Sequence, residues 1–203
     1  MRTAKTILAL VFTLICFAAA ANAGTTTTQV RDKGVFALFE STQGDIHTIV
    51  TVNSTTQRVV ESGSGGPVVA PLTTVTIFQE NTATGEVLLN ASGSTSEHTL
   101  TISHDLQSAS LQATVSMVDQ VSNTRFTASV NLSWASTGEP VTEHSVFRFS
   151  VPGFRFTSVF KGTQQAAVAT GTVTGLGMNF TPNPSVDAQI QENKTGSFVT
   201  IEQ

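Results

Sequence analysis

Four histidines, His47, His98, His104 and His144, are the side chains best suited to acid–base or metal chemistry in this sequence. Asp45 and His47 stand two residues apart, so a strand would place both on one face. A histidine from elsewhere, His98 or His144, would then be needed to complete a metal site. His98 and His104 share a strand parity, but six residues of strand separate them by about 20 Å at about 3.3 Å per residue. Metal–nitrogen bonds near about 2 Å leave no slack for that span. His104 and Asp105 are neighbours whose side chains face opposite ways on a strand, so they form no fragment of a catalytic triad. These histidines, with Asp45 or Glu143, are also what a secreted hydrolase would have to use. The spacing favours polar contacts at strand ends instead, and no catalytic residue, resident metal or cofactor is expected.

Other reactive patterns are missing from the sequence. It has no Walker motif, no H-E-x-x-H and no acidic calcium loop. Ser64 has Ser62, not glycine, two positions before it, so the serine elbow is incomplete. Gly63-Ser64-Gly65-Gly66 lacks the strand–loop–helix setting of a phosphate cradle and reads as loop.

The segment 143–161 holds a different kind of chemistry. Phe147, Phe149 and Val151 lead into Pro152-Gly153, and Phe154, Phe156 and Phe160 follow. Folded as a hairpin, these would form a continuous aromatic face. The opposite parity gathers Arg148, Arg155 and Lys161, a basic stripe that either docks an anionic partner or simply solvates a strand face. An L-proline does not suit the primed turns of two-residue hairpins, so a longer loop is expected between the two strands.

The elements that position these residues are strands throughout. Phe126, Ala128, Val130, Leu132 and Trp134 alternate with Thr127, Ser129, Asn131 and Ser133, and Leu111, Ala113, Val115 and Met117 repeat the pattern. Trp134 continues the apolar parity and is read as a core residue rather than a sugar-stacking platform. Turn residues such as Thr84-Gly85, Ser122-Asn123 and Thr195-Gly196 punctuate the runs. No sustained 3.6-residue stripe occurs beyond the first 23 residues. The expectation is a single all-β domain over 35–203, a two-sheet sandwich, Ig-like or jelly-roll-like, of about 8 to 12 strands. A flexible polar leader at 24–34 and a Gly/Pro-rich loop at 61–71 complete that reading.

Composition and the N-terminus bound the function. Arg2 and Lys5, the apolar run Ile7 to Ala21, and Ala21-Asn22-Ala23 have the form of a signal peptide cleaved near Ala23. The run is too short for a membrane-spanning helix, and no second one follows. Cleavage would remove Cys16, the only cysteine, and leave 180 residues with eight basic and 14 acidic side chains. A periplasmic or extracellular protein free of disulfides is therefore expected. With 12% charged residues and a net charge of −4, a nucleic-acid partner is not expected. A small outer-membrane barrel would share the alternation, but the absence of Tyr and a single Trp leave no aromatic girdles.

Leu111-Gln112-Ala113-Thr114-Val115, Val130-Asn131-Leu132-Ser133-Trp134 and Asn179-Phe180-Thr181-Pro182 resemble strand segments of a group of uncharacterised secreted bacterial β-rich proteins. The resemblance covers the C-terminal half and implies export and a β fold, with no chemistry attached. The expected function is a non-enzymatic binding or structural module for an unknown ligand or protein partner. A secreted metal-binding protein or histidine-dependent hydrolase is the alternative, and an outer-membrane barrel the third reading.

Overall fold

Alternating side chains need a pleated backbone, and the chain is pleated almost from end to end. The computed structural model describes residues 24–63, 65–181 and 184–201. The expected signal segment, Cys16 with it, lies outside the described residues, as do Ser64 and Pro182. The first strands are β1 (Gly24–Gln43), β2 (Ile46–Glu61), β3 (Val68–Asn81), β4 (Glu86–Thr95) and β5 (His98–Ile102). Then come β6 (Ser108–Asp119), β7 (Arg125–Ser136), β8 (Val141–Val151), β9 (Phe154–Gly175), β10 (Met178–Asn179) and β11 (Asp187–Ile201). No helix occurs among the described residues.

The all-β, sandwich-like architecture expected from the pattern takes the form of one antiparallel sheet of 11 strands rather than separate ladders. Its path closes: β1 pairs with β2, β2 with β3, β3 with β4, β4 with β6, β6 with β7, β7 with β9, β9 with β11, and β11 with β1. Closure removes the unpaired edges that an open sheet exposes. The β4–β6 seam has three residue pairs, and a Cβ at Gly93 would lie 2.2 Å from the Ser116 carbonyl oxygen, so only glycine fits there.

Inward parity fills this ring. Val35, Ala37 and Phe39 of β1 merge with Val50, Val75, Ile77, Leu111, Val115, Leu132, Val173 and Ile190 in one buried cluster. The strand read most directly from the sequence behaves as expected: Ala128, Val130, Leu132 and Trp134 are buried and Phe126 packs against them. Trp134 is 2% exposed, and its indole N–H donates to the Phe36 carbonyl at 2.8 Å. That bond satisfies the one polar atom a core tryptophan carries.

Four strands are longer than the ring needs. Residues 24–33 of β1, 55–61 of β2, 154–165 of β9 and 191–201 of β11 run past it. Joined by β8 and by 68–72 of β3, they form an open six-stranded wing in the order β3-β2-β1-β11-β9-β8.

Three expectations are corrected in this wing. The 24–34 leader is the first half of β1, paired with β11 from Gly24 and with β2 from Thr28. Its threonines are polar, but they are β-branched and suit a pleated surface. The 61–71 loop is shorter than expected, since β2 runs to Glu61 and β3 starts at Val68, and Pro71 sits within β3 opposite Thr56. It is tolerated because β4 pairs with β3 only from Thr73, which leaves Pro71 in an edge stretch of the strand. The β8–β9 connection is two residues, since Val151 pairs directly with Phe154. Gly153 has φ 78°, and proline holds φ near about −65°, which together are the values of a type II turn.

Candidate functional site

The wing's two faces differ because strand parity is carried unchanged from the ring. The face continuous with the buried positions Val35, Ile190, Ser54 and Gln165 contains Arg31 and Lys33 of β1, Arg58 of β2 and Lys194 of β11. Lys161 and Arg155 of β9 and Arg148 of β8 lie on it as well. Seven of the eight basic residues beyond position 23 therefore share one face, Arg125 being the exception.

Register sharpens this clustering into a row. Arg58 pairs with Arg31, Arg31 with Lys194, Lys194 with Lys161, and Lys161 with His144. With strands about 4.8 Å apart, the four permanent cations span roughly 14 Å. Like charges directly opposite one another are destabilising in a sheet, so the row is a local cost to the fold.

Glu192 is the one carboxylate among the described strand residues of this face. It accepts from Arg31 at 2.7 Å and lies 3.2 Å from the Lys194 ammonium and 3.6 Å from that of Lys33. Burial raises its pKa, but the Arg31 and Lys194 hydrogen bonds and the nearby Lys33 charge outweigh that, and the carboxyl is held below its usual range. Asp32, although between Arg31 and Lys33 in sequence, faces the other way opposite Asn193 and Gln57. Burial pushes its pKa up against a hydrogen bond from Asn193. One carboxylate thus serves three cations, and Arg58 and Lys161 have no ion-pair partner among the described residues.

Beside the row lies a groove of about 470 Å³, within the usual range of small-molecule sites. Arg31, Arg58, Lys161 and Lys194 line it together with Val60, Val159 and Phe198. In the next inward-facing row along the strands, Val60 pairs with Gln29, Gln29 with Gly196, and Gly196 with Val159. Gly196 leaves the middle of that floor bare: a Cβ there would meet nothing closer than the Phe198 ring at 3.6 Å.

The opposite face of the wing carries the aromatic residues of the β8–β9 hairpin. Phe147 lies 6.1 Å from Phe156, and Phe149 6.2 Å from Phe154, between ring centroids. Phe147 is 60% exposed. The parities read from 143–161 are thus the observed ones, with Arg148, Arg155 and Lys161 away from these rings. Only Lys161 joins the row; Arg148 and Arg155 sit nearer the Pro152-Gly153 turn, opposite Thr157 and Ser150 across the β8–β9 ladder. Sequence reasoning missed Arg31, Arg58 and Lys194 as members of the site. Their only local signal was an inward parity, which acquires meaning once β1, β2 and β11 are placed side by side.

The histidines do not converge. His47 Nε2 lies 2.9 Å from Glu40 and Nδ1 3.3 Å from Glu80, and these hydrogen bonds raise its pKa against the effect of desolvation. Asp45 is in the preceding turn, where its backbone carbonyl accepts from the Thr82 amide at 2.7 Å. His98 pairs with the Thr73 hydroxyl at 2.8 Å and the Thr56 hydroxyl at 3.3 Å, and burial lowers its pKa. His104 is in the β5–β6 turn. His144 faces Lys161, whereas Glu143 is opposite Gly162 on the other side of the sheet. Among the described residues no three His, Cys, Asp or Glu side chains are grouped to hold a metal ion.

The chain matches no family model and no curated protein.

Proposed function

We propose that this protein is a non-enzymatic binding module whose cationic wing face holds an anionic ligand. The single observation that carries the reading is the cross-strand row Arg58, Arg31, Lys194, Lys161. A sheet gains nothing from four adjacent like charges, and an anion laid across them would relieve the repulsion. The contrast with an overall charge of −4 adds weight, since the cations are gathered on one face instead of spread for solubility. The ring's outward positions on β7 are Thr127, Ser129, Asn131 and Ser133, the reverse of the polarity a lipid-facing barrel wants.

On this reading the module acts after export, an inference from Arg2, Lys5, the apolar run and Ala21-Asn22-Ala23. The binding claim is tested on an immobilised dextran sulfate matrix at pH 7 and low salt. The wild type is expected to be retained and to elute as salt screens the row. A double variant Arg58→Glu with Lys161→Glu is expected in the flow-through. Failure of the wild type to bind, or retention of the double variant, would overturn the proposal.

A further inference from the structure

Resting on the anion-binding reading, we infer that the ligand is a single-chain amphiphile: an anionic head on the cation row, with an alkyl chain laid over the Gly196 shelf. The chemistry of the inward face changes abruptly along the strands. On the ring side the row is bordered by Thr56, Glu192 and Thr163, all polar. On the other side, one step of two residues or about 7 Å away, it gives way to a row in which Gln29 is the one polar side chain, flanked by Val60 on one side and by Gly196 and Val159 on the other, with Phe198 beyond. The same groove is lined by the four cations of the row and by Val60, Val159 and Phe198, so one molecule in it touches cations at one end and apolar side chains at the other. A uniformly charged polymer would cover the cations and leave the apolar shelf wet. A neutral lipid would cover the shelf and leave Arg58 and Lys161 uncompensated and Arg31 and Lys194 sharing one carboxylate. An anionic amphiphile satisfies both, through charge-assisted hydrogen bonds at the head and apolar burial along the chain.

Gly196 makes room for that chain. It is in ordinary strand conformation, so its lack of a side chain is not demanded by the backbone, and a Cβ there would only reach ordinary contact with Phe198. A larger side chain at this position would occupy the shelf and leave every charge of the row in place.

Calorimetric titration with inorganic phosphate, octyl phosphate and dodecyl phosphate, each alkyl phosphate below its micelle concentration, tests the inference, with dodecyl maltoside as the uncharged control. Dodecyl phosphate is expected to bind at least tenfold tighter than octyl phosphate, and octyl phosphate tighter than inorganic phosphate, with no binding of dodecyl maltoside. Gly196→Leu is expected to remove the gain with chain length and to keep phosphate binding; Val159→Asn, on the same floor, gives the same readout should the leucine disturb folding. Arg58→Glu with Lys161→Glu is expected to remove binding of all the phosphates. Equal affinity for inorganic and dodecyl phosphate would overturn the amphiphile and leave anion binding standing. No binding of any phosphate, together with no retention on dextran sulfate, would sink both readings. Tight binding of dodecyl maltoside, or binding to phosphatidylglycerol vesicles without saturable binding of monomeric dodecyl phosphate, would also overturn the inference.

Discussion

Lys161 of β9 stands directly opposite Lys194 of β11, on the same inward-facing side of two hydrogen-bonded strands. No carboxylate separates them, because Glu192, the one carboxylate among the described strand residues of this face, lies two residues along β11 and is engaged by Arg31, Lys33 and Lys194. A purely structural sheet would place threonine or an opposite charge at one of these positions.

Lys161→Thr should therefore separate function from fold. Relief of the like-charge pairing is expected to leave stability unchanged or raise it by about 0.2–1 kcal/mol, read as the urea midpoint. Dodecyl phosphate affinity is expected to fall about tenfold or more, equivalent to about 1.4 kcal/mol. A large loss of stability would instead mark Lys161 as a structural residue.

Glu192→Gln should act in two opposite directions. The variant loses the group that offsets Arg31, Lys33 and Lys194, so stability is expected to drop by up to about 1 kcal/mol at pH 7. The face becomes more positive, so phosphate binding is expected to tighten. The Glu192 pKa is lowered on folding, so the wild-type contribution is present above the unfolded value and is lost as pH falls through the folded one. The stability gap between wild type and variant should close on acidification, and a gap that does not change with pH would refute the assignment.

His47 makes the opposite prediction on the alkaline side. Its hydrogen bonds to Glu40 and Glu80 raise its folded pKa above 6.5, so its contribution is complete below that value and is lost as pH rises through the folded pKa. The melting temperature of wild type minus that of His47→Gln is expected to decline over that window. A difference flat from pH 6 to 9 would show that the Glu40–His47–Glu80 bridge does not form in solution.

Asp119 anchors the turn that joins β6 to β7. Its carboxylate accepts from the Ser122 hydroxyl at 2.5 Å and from the backbone amides of Asn90, Val121 and Ser122, each at 3.1 Å. The Ser122 hydroxyl first, then these amides, bring its pKa to about 2 against the opposing effect of burial. Asp119→Ala strands amides in a site only 4% exposed and is expected to cost about 1–3 kcal/mol. In the wild type that stability is present above the unfolded value of 3.8 and is lost as pH falls toward about 2. An unchanged denaturant midpoint for the alanine variant would contradict the geometry.

Much of this molecule was legible locally. The alternation from Phe126 to Trp134 identified a half-buried strand and its buried side, and the parities of 143–161 separated Phe147, Phe149, Phe154 and Phe156 from Arg148, Arg155 and Lys161. The turn at Pro152-Gly153 was misjudged because only the primed hairpin turns were considered, whereas Gly153 at positive φ makes a type II turn possible. Residues 24–34 were misread because threonines look like a linker when nothing is known to pair with them. With β2 on one side and β11 on the other, the same residues are a central strand.

By itself, the sequence determined which side of each strand a residue occupies, since successive side chains on a pleated chain must alternate. Tertiary structure alone decided that β1, β2, β9 and β11 lie side by side, and in which register. A shift of one residue in any of those ladders would turn that strand's cation to the opposite face, because the side-chain period is two. Arg31 and Lys194, more than 160 positions apart in the chain, become neighbours only through long-range backbone pairing, which no local spacing records.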